Sequence, residues 1–288
     1  MLKTRIATAA VLIIGLVTAL FLTSKTVWAL LSLGVILVGV WEWSGLIKLS
    51  INQRRGNVIA ALLIAVIFLF SLNYPDNLTS NLSVSLQANI AFYRDAFIFI
   101  LISIAAVFWL LLAPIWLFIR KPIQHKFSMA ILGLLLLLAV WLAFMGLRNI
   151  SPWLLLSVLA TVSIADSAAY FVGKRFGRHK LAPEISPGKT WEGVLGGLLA
   201  VSVYGYFLCL YLHYSLWLLV GLWLIVVLSI LGDLFESLLK RFAGAKDSGQ
   251  CLPGHGGILD RIDGLIPSLT LTLLYIYLPL FLNFQSHA

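Results

Sequence analysis

The sequence predicts an all-α protein, a polytopic transmembrane helical bundle of about nine spans with its N-terminus on the cytoplasmic side. Three observations carry this expectation. Hydrophobic residues make up 61% of the 288 and charged residues only 11%, whereas a soluble domain carries about 25% charged residues. Apolar runs approaching the roughly 20 residues that cross a hydrocarbon core recur from end to end. Lys and Arg also collect at alternate ends of those runs, as the positive-inside rule requires. The alternating segments of about ten residues that mark a membrane β-barrel are absent.

Helices are expected near 6–23, 27–47, 57–73, 96–119, 127–147, 152–173, 192–212, 216–237 and 264–284. The first has Lys3 and Arg5 ahead of an apolar core, but no small-residue cleavage site precedes Lys25, so it reads as a retained helix and not a signal peptide. The Asn- and Ser-rich stretch 74–95 reads as the longest external loop. With nine spans, all but Lys25, Arg94 and Arg148 of the 20 basic residues fall on one side. The net charge of +9 is thus explained by orientation, with no nucleic-acid partner implied. Cys209 and Cys251 lack metal-ligand or disulfide spacing and read as free thiols. The chain divides into an N-terminal scaffold, 1–150, and a C-terminal catalytic region, 151–288, because the polar residues crowd the second half.

Eight of the 11 acidic residues follow residue 160, in or beside two polar segments, 174–191 and 238–263. The eighth span ends with Asp233, Glu236, Ser237 and Lys240, which share one helical face. Carboxylates near membrane depth are costly, and are either functional or paired; here the alternatives are a substrate-binding stripe or an internal ion pair of Asp233 or Glu236 with Lys240. A glycine-rich loop follows, whose free N–H groups suit phosphates, and Asp260 and Asp263 then open the ninth helix. Asp233 and Asp260 are expected to project from neighbouring helix ends, and paired carboxylates with nucleotide phosphates suit Mg²⁺. In the other segment, Asp166 lies deep in an apolar span, with Tyr170 and Gly173 on the same face, ahead of a turn at Ser186-Pro187-Gly188. Lys189 follows. Thr190 reads equally well as an N-cap and Glu192 as an ordinary first-turn acid. The Gly188-Lys189-Thr190 triplet is not a P-loop, because Pro183 stands where that motif needs glycine and no strand is expected before it.

Ser237, Lys240, Arg241, Lys246, Asp247, Gly249, Leu252, Pro253, His255, Gly256, Gly257, Asp260, Arg261 and Asp263, at their spacing, resemble the long signature of the phosphatidate cytidylyltransferases. Upstream, Asp166, Ser167 and Tyr170, the Gly173–Gly177 stretch, and Ser186 through Gly193 are similar to that family's pattern. The resemblance is sharp over roughly 160–284 and implies a bacterial form, since the long polar N-terminal extension of eukaryotic members is missing. It implies synthesis of CDP-diacylglycerol and pyrophosphate from CTP and phosphatidate, with Mg²⁺ and in some members a monovalent cation such as K⁺. Residence in the bacterial inner membrane, a cytoplasm-facing site and homodimerisation are implied in the same way.

On this basis Asp233, Asp260 and Asp263 are expected at the metal. Lys240, Arg241, Lys246 and Arg261 are expected on the phosphates, with Ser237 orienting a phosphate oxygen and Asp247 beside them. Lys189 and the Ser186 turn, with Tyr170, Thr190, Glu192, Gly256 and Gly257, are expected to enclose nucleotide or head group. Asp166 is either a cation ligand or an ion-pair partner, and His255 either a phosphate donor or a loop histidine without a role. Two other classes compete: a CTP-dependent polyprenol or phytol kinase, which would leave CDP instead of pyrophosphate, and an anionic-solute transporter. The second is disfavoured because a transporter should show broken helices in two related halves.

Overall fold

The computed structural model describes residues 2–72, 84–122, 125–251 and 256–285. Helices occupy each of the nine expected positions. They are α1 (Leu2–Leu22), α2 (Lys25–Leu46), α3 (Ile51–Leu72), α4 (Val84–Val107) running through a wide turn (Phe108–Leu112) into α5 (Ala113–Ile119), and α6 (Lys126–Ile150). After these come α7 (Pro152–Phe176), strands β1 (Lys180–Ala182) and β2 (Ser186–Thr190), α8 (Trp191–Leu212), α9 (Trp217–Ala243), the single turn α10 (Leu259–Ile262) and α11 (Leu265–Gln285). Among the described residues, seven helices are long and apolar enough to cross a membrane, with shorter apolar runs at Ile13–Leu22 and Leu265–Pro279. The chain is an all-α multi-pass membrane protein.

Four local features differ from the sequence expectation. The stretch 74–95 is not all loop: Val84 onward is helical, because Leu86, Gln87, Ala88 and Ala91 are good helix formers; residues 73–83 lie outside the described residues. The turn before Lys189 falls at 183–185, and Ser186–Thr190 instead form β2, antiparallel to β1 with Ala182 opposite Ser186 and Lys180 opposite Thr190. A strand therefore does precede the Gly188-Lys189-Thr190 triplet, although Pro183 still rules out a P-loop. The fourth span contains a π turn in which Ala113 N–H bonds to Phe108 O, five residues back. Pro114 follows directly, and since it cannot donate an N–H, the widened turn absorbs the mismatch.

Helix α6 is the hub. It is apolar on every side, and Leu136–Met145 are buried almost without interruption, as expected of a helix packed all round. Helix α2 is fixed to it by three indoles: Trp28 Nε1 donates to Phe144 O (3.2 Å), Trp141 Nε1 to Ala29 O (3.0 Å) and Trp43 Nε1 to Met129 O (2.9 Å). Each removes a polar N–H from an apolar surround, where an unsatisfied donor would be costly. At the far end Arg148 closes α1, its Nε donating to Leu20 O (2.9 Å) and a terminal nitrogen to Thr23 O. Helices α7 and α8 pack closely through small residues, with Gly193 and Gly197 against the Ala169 and Ala165 carbonyls.

The site-bearing helix α9 is anchored by the face opposite its polar stripe. Phe235 is 1% exposed and sits among Trp43, Phe108, Trp109 and Trp116 at ring separations of 6.2, 5.3, 5.4 and 5.4 Å. Such aromatic contacts contribute about 0.5–1.5 kcal/mol each beyond burial, so this nest fixes the rotation of α9 and hence where Asp233, Glu236, Ser237 and Lys240 point.

Candidate active site

The polar residues gather at one end of the bundle, where α9 meets β2, α10 and the loop between α9 and α10. Two charge clusters form along the α9 stripe. In the first, Lys189 Nζ on β2 lies 2.6 Å from Asp233 Oδ2, and Ser237 Oγ donates to Asp233 Oδ1 at 3.3 Å. Asp263 and Asp166 lie within electrostatic reach of this pair. In the second, Lys240 Nζ lies 2.7 Å from Asp260 Oδ1 and also pairs with Glu236 Oε2. Arg241 ties the stripe to the hairpin by donating from Nε to Ile185 O (3.1 Å). The two segments 174–191 and 238–263 thus belong to one site.

The carboxylates are grouped differently from the expectation that paired Asp233 with Asp260. Asp263 lies within electrostatic reach of Asp233, and Asp260 pairs with Lys240. Gly232 is the reason: a Cβ there would fall 2.2 Å from Asp263 O and 2.9 Å from the Pro267 ring, so the absent side chain lets the α10–α11 junction lie directly on α9. Asp260 is fully engaged. Oδ1 takes Lys240, Oδ2 accepts from Gly257 N (2.8 Å), and Ser248 N lies 3.2 and 3.0 Å from the two oxygens. Burial alone would push its carboxyl up, but Lys240 and the backbone N–H groups outweigh it and hold the group at about 2. Asp263 goes the other way. Burial and the neighbouring Asp233 push it well above the carboxylate range, against one backbone bond from Gly264 N (2.7 Å).

This contrast bears on metal binding. Asp166, Asp233 and Asp263 share Lys189 as their nearby cation, so the group holds excess negative charge that a divalent ion would relieve. All the donors are carboxylate oxygens, the preference of Mg²⁺. Among the described residues no three His, Cys, Asp or Glu side chains form a ready-made cage. That fits an ion that takes one or two protein carboxylates and completes its shell with water and substrate phosphates.

Other expected site residues have structural partners. Thr190 is buried and caps α8, its Oγ1 accepting from Gly193 N (3.1 Å). Glu192 holds the hairpin base, 2.6 Å from His179 Nδ1 and accepting from His179 N. Tyr170 faces outward, with Lys174 Nζ 5.7 Å from its ring centre, and the structure does not bring it to either cluster. Ser186 lies in β2, and Lys246, Asp247 and Arg261 are exposed around the site. Gly256 has φ +81° and Gly257 is packed so that a Cβ would meet Ser248 Oγ at 2.1 Å. His255 lies outside the described residues.

The residue that sequence reasoning missed is Glu42 on α2. It is buried (4% exposed), and its carboxylate accepts from Ile258 N (3.1 Å), Leu259 N (2.8 Å) and Ser248 Oγ (3.0 Å). A lone acid inside an apolar span was the available signal.

Fold and site together define a multi-pass helical membrane protein whose acidic and basic side chains converge at one end in a set suited to phosphates. The chain matches the cytidylyltransferase family over residues 3–281 and belongs to that family. It is similar to the phosphatidate cytidylyltransferase of Haemophilus influenzae, 38% identical over 92% of this chain and 95% of that one. It is also similar to that of Pseudomonas aeruginosa, 36% identical over 93% and 94% of the two chains. The Bacillus subtilis phosphatidate cytidylyltransferase is 41% identical over a shorter stretch, 55% of this chain and 62% of that one.

Proposed function

We propose that this chain is a phosphatidate cytidylyltransferase, forming CDP-diacylglycerol and pyrophosphate from CTP and phosphatidate. The supporting observation is the Lys189–Asp233 pair beside Asp263, which joins two separate polar segments into one site within a cytidylyltransferase chain. In the reaction an oxygen of the lipid phosphomonoester attacks the α-phosphorus of CTP. The bond from that phosphorus to the bridging oxygen breaks, and pyrophosphate leaves with the electron pair. The nucleophile is already anionic near neutral pH, so no strong base is required, and the task is to bring two polyanions together.

Lys240, held between Asp260 and Glu236, is a fixed ammonium beside the glycine-rich loop. Arg241 has its Nε on Ile185 O, which orients the guanidinium and leaves its terminal N–H groups for a phosphate. Lys189 lies on the hairpin and can exchange Asp233 for an incoming anion. Asp233 and Asp263 would hold Mg²⁺, with Asp166 within electrostatic reach of both; when bound, the ion would neutralise charge on the triphosphate and on the departing pyrophosphate. A second, monovalent cation such as K⁺ and a homodimeric state are included on the resemblance alone. A site facing the cytoplasm is supported by the one-sided Lys and Arg distribution, and placement in a bacterial inner membrane is included on the resemblance alone.

Purified protein given labelled CTP and phosphatidate should release pyrophosphate and form a CMP-bearing lipid, and chelation of Mg²⁺ should stop both. Release of CDP with a phosphorylated lipid alcohol would instead identify a CTP-dependent lipid kinase, and binding without turnover would point to a carrier.

A further inference from the structure

Glu42 lies in α2, about 200 residues before the second polar segment in sequence, yet it makes three contacts with the loop and helix start that lead to Asp260. Oε1 accepts from Ile258 N at 3.1 Å, and Oε2 accepts from Leu259 N at 2.8 Å and Ser248 Oγ at 3.0 Å. These donors come from both arms of the loop, one before residue 252 and one after residue 255. Ser248 in turn donates from its backbone N–H to Asp260, and its Oγ accepts from Asp260 N at 3.3 Å. Asp260 then holds Lys240 at 2.7 Å. The packing leaves no slack: a Cβ at Gly249 would fall 2.3 Å from Glu42 Oε1, and one at Gly257 would fall 2.5 Å from Oε2.

We propose that Glu42 is a positioning residue for the transfer reaction, clamping both arms of the glycine-rich loop so that Asp260 presents Lys240 to the substrate phosphates. The clamp needs a carboxylate. Both oxygens act as acceptors, and burial requires their partners to be present. A glutamine of the same shape would turn an amide N–H₂ towards one of the loop N–H groups, replacing an attraction with a donor–donor clash. Among the described residues, the hydrogen bonds of Glu42 go to Ser248, Ile258 and Leu259 and not to a side chain assigned to phosphate or metal, so its influence is exerted through the loop. This inference rests on the transfer reaction proposed above.

The test uses the full-length protein in detergent, with Glu42→Gln, Glu42→Asp and Ser248→Ala compared with wild type. Cys251 is exposed at the edge of the loop and Cys209 is buried, so maleimide labelling of Cys251 reports loop order independently of turnover. Glu42→Gln should lower kcat per folded molecule by roughly 10–100-fold, the scale expected for misplacing a catalytic group by about 1 Å. The KM values for CTP and phosphatidate should change much less, and Cys251 should label faster. Ser248→Ala removes one of the three contacts and should fall between the two in both readouts, and Glu42→Asp should recover part of kcat. Unchanged kcat and labelling in Glu42→Gln would overturn the proposal. So would a loss of activity matched by a loss of folded protein, with full kcat in the remainder. If wild type itself does not turn over CTP and phosphatidate, the proposed reaction fails, and the labelling ratio alone decides whether Glu42 clamps the loop.

Discussion

Replacing Lys240 by Met tests the charge arrangement most directly, because the stem stays and only the ammonium goes. Lys240 is 12% exposed and stands between Glu236 and Asp260, whose side chains are 4% and 9% exposed. The two carboxylates do not depend on it equally. Asp260 keeps its N–H donors from Ser248 and Gly257, whereas Glu236 has no backbone N–H donor of that kind among the described residues and relies on its ion pair with Lys240. Removing one member of a buried pair costs about 3–5 kcal/mol, because the other charge is stranded. Most of that cost should fall on Glu236. Thermal unfolding of the purified protein in a fixed detergent should therefore show a midpoint lowered on the order of 10 °C. The double variant Glu236→Gln/Lys240→Met should regain most of that loss, since replacing both members of a buried pair is close to neutral, while turnover stays low in both. A Lys240→Met protein that melts like wild type, or a double variant no more stable than the single one, would refute the reasoning.

Lys189→Met should separate stability from catalysis. Its pair with Asp233 is partly exposed (22% and 33%), so unfolding should change by only about 0–1 kcal/mol, while initial rates with CTP and phosphatidate should fall about 10²–10³-fold. Gly232→Ala should do both, because its Cβ would overlap Asp263 O and the Pro267 ring. Overpacking of about 1–3 kcal/mol is expected by thermal melt, with a fall in turnover as Asp263 is pushed away from Asp233.

The long elements were legible because the bilayer allows few options. A chain with apolar runs of this length must satisfy its backbone within each segment, and helix is the solution that the runs permit. The exceptions are local. The hairpin at 180–190 reads as a loop because its residues are polar and its strands are three and five residues long. The π turn before Pro114 has no periodicity signal, since five residues are too few to shift a pattern.

Within the candidate site, helical spacing shows which residues share a stripe but not how they pair with the returning segment. Helical spacing places Asp233 and Lys240 on one stripe, and with a rise of about 1.5 Å per residue they stand roughly 10 Å apart along α9. Asp260 and Asp263 lie on a segment that returns along α9 in the opposite direction, so the later residue meets the earlier one. Asp263 comes within electrostatic reach of Asp233, and Asp260 pairs with Lys240. Spacing along one chain cannot supply that register, because it is set by where Gly232 lets the backbones touch. The same holds for Glu42. On its own helix it is one carboxylate among tryptophans and glycines, with no neighbour to suggest a role. Its function appears only when the loop 216 residues away brings Ile258 N–H to it. The acidic residues of the C-terminal half can be read as a site because they crowd together in sequence, whereas Glu42 acts from outside that crowd. The division of the chain into a scaffold and a catalytic half therefore describes the sequence better than it describes the chemistry, since a residue of the first half grips the loop that orders the second.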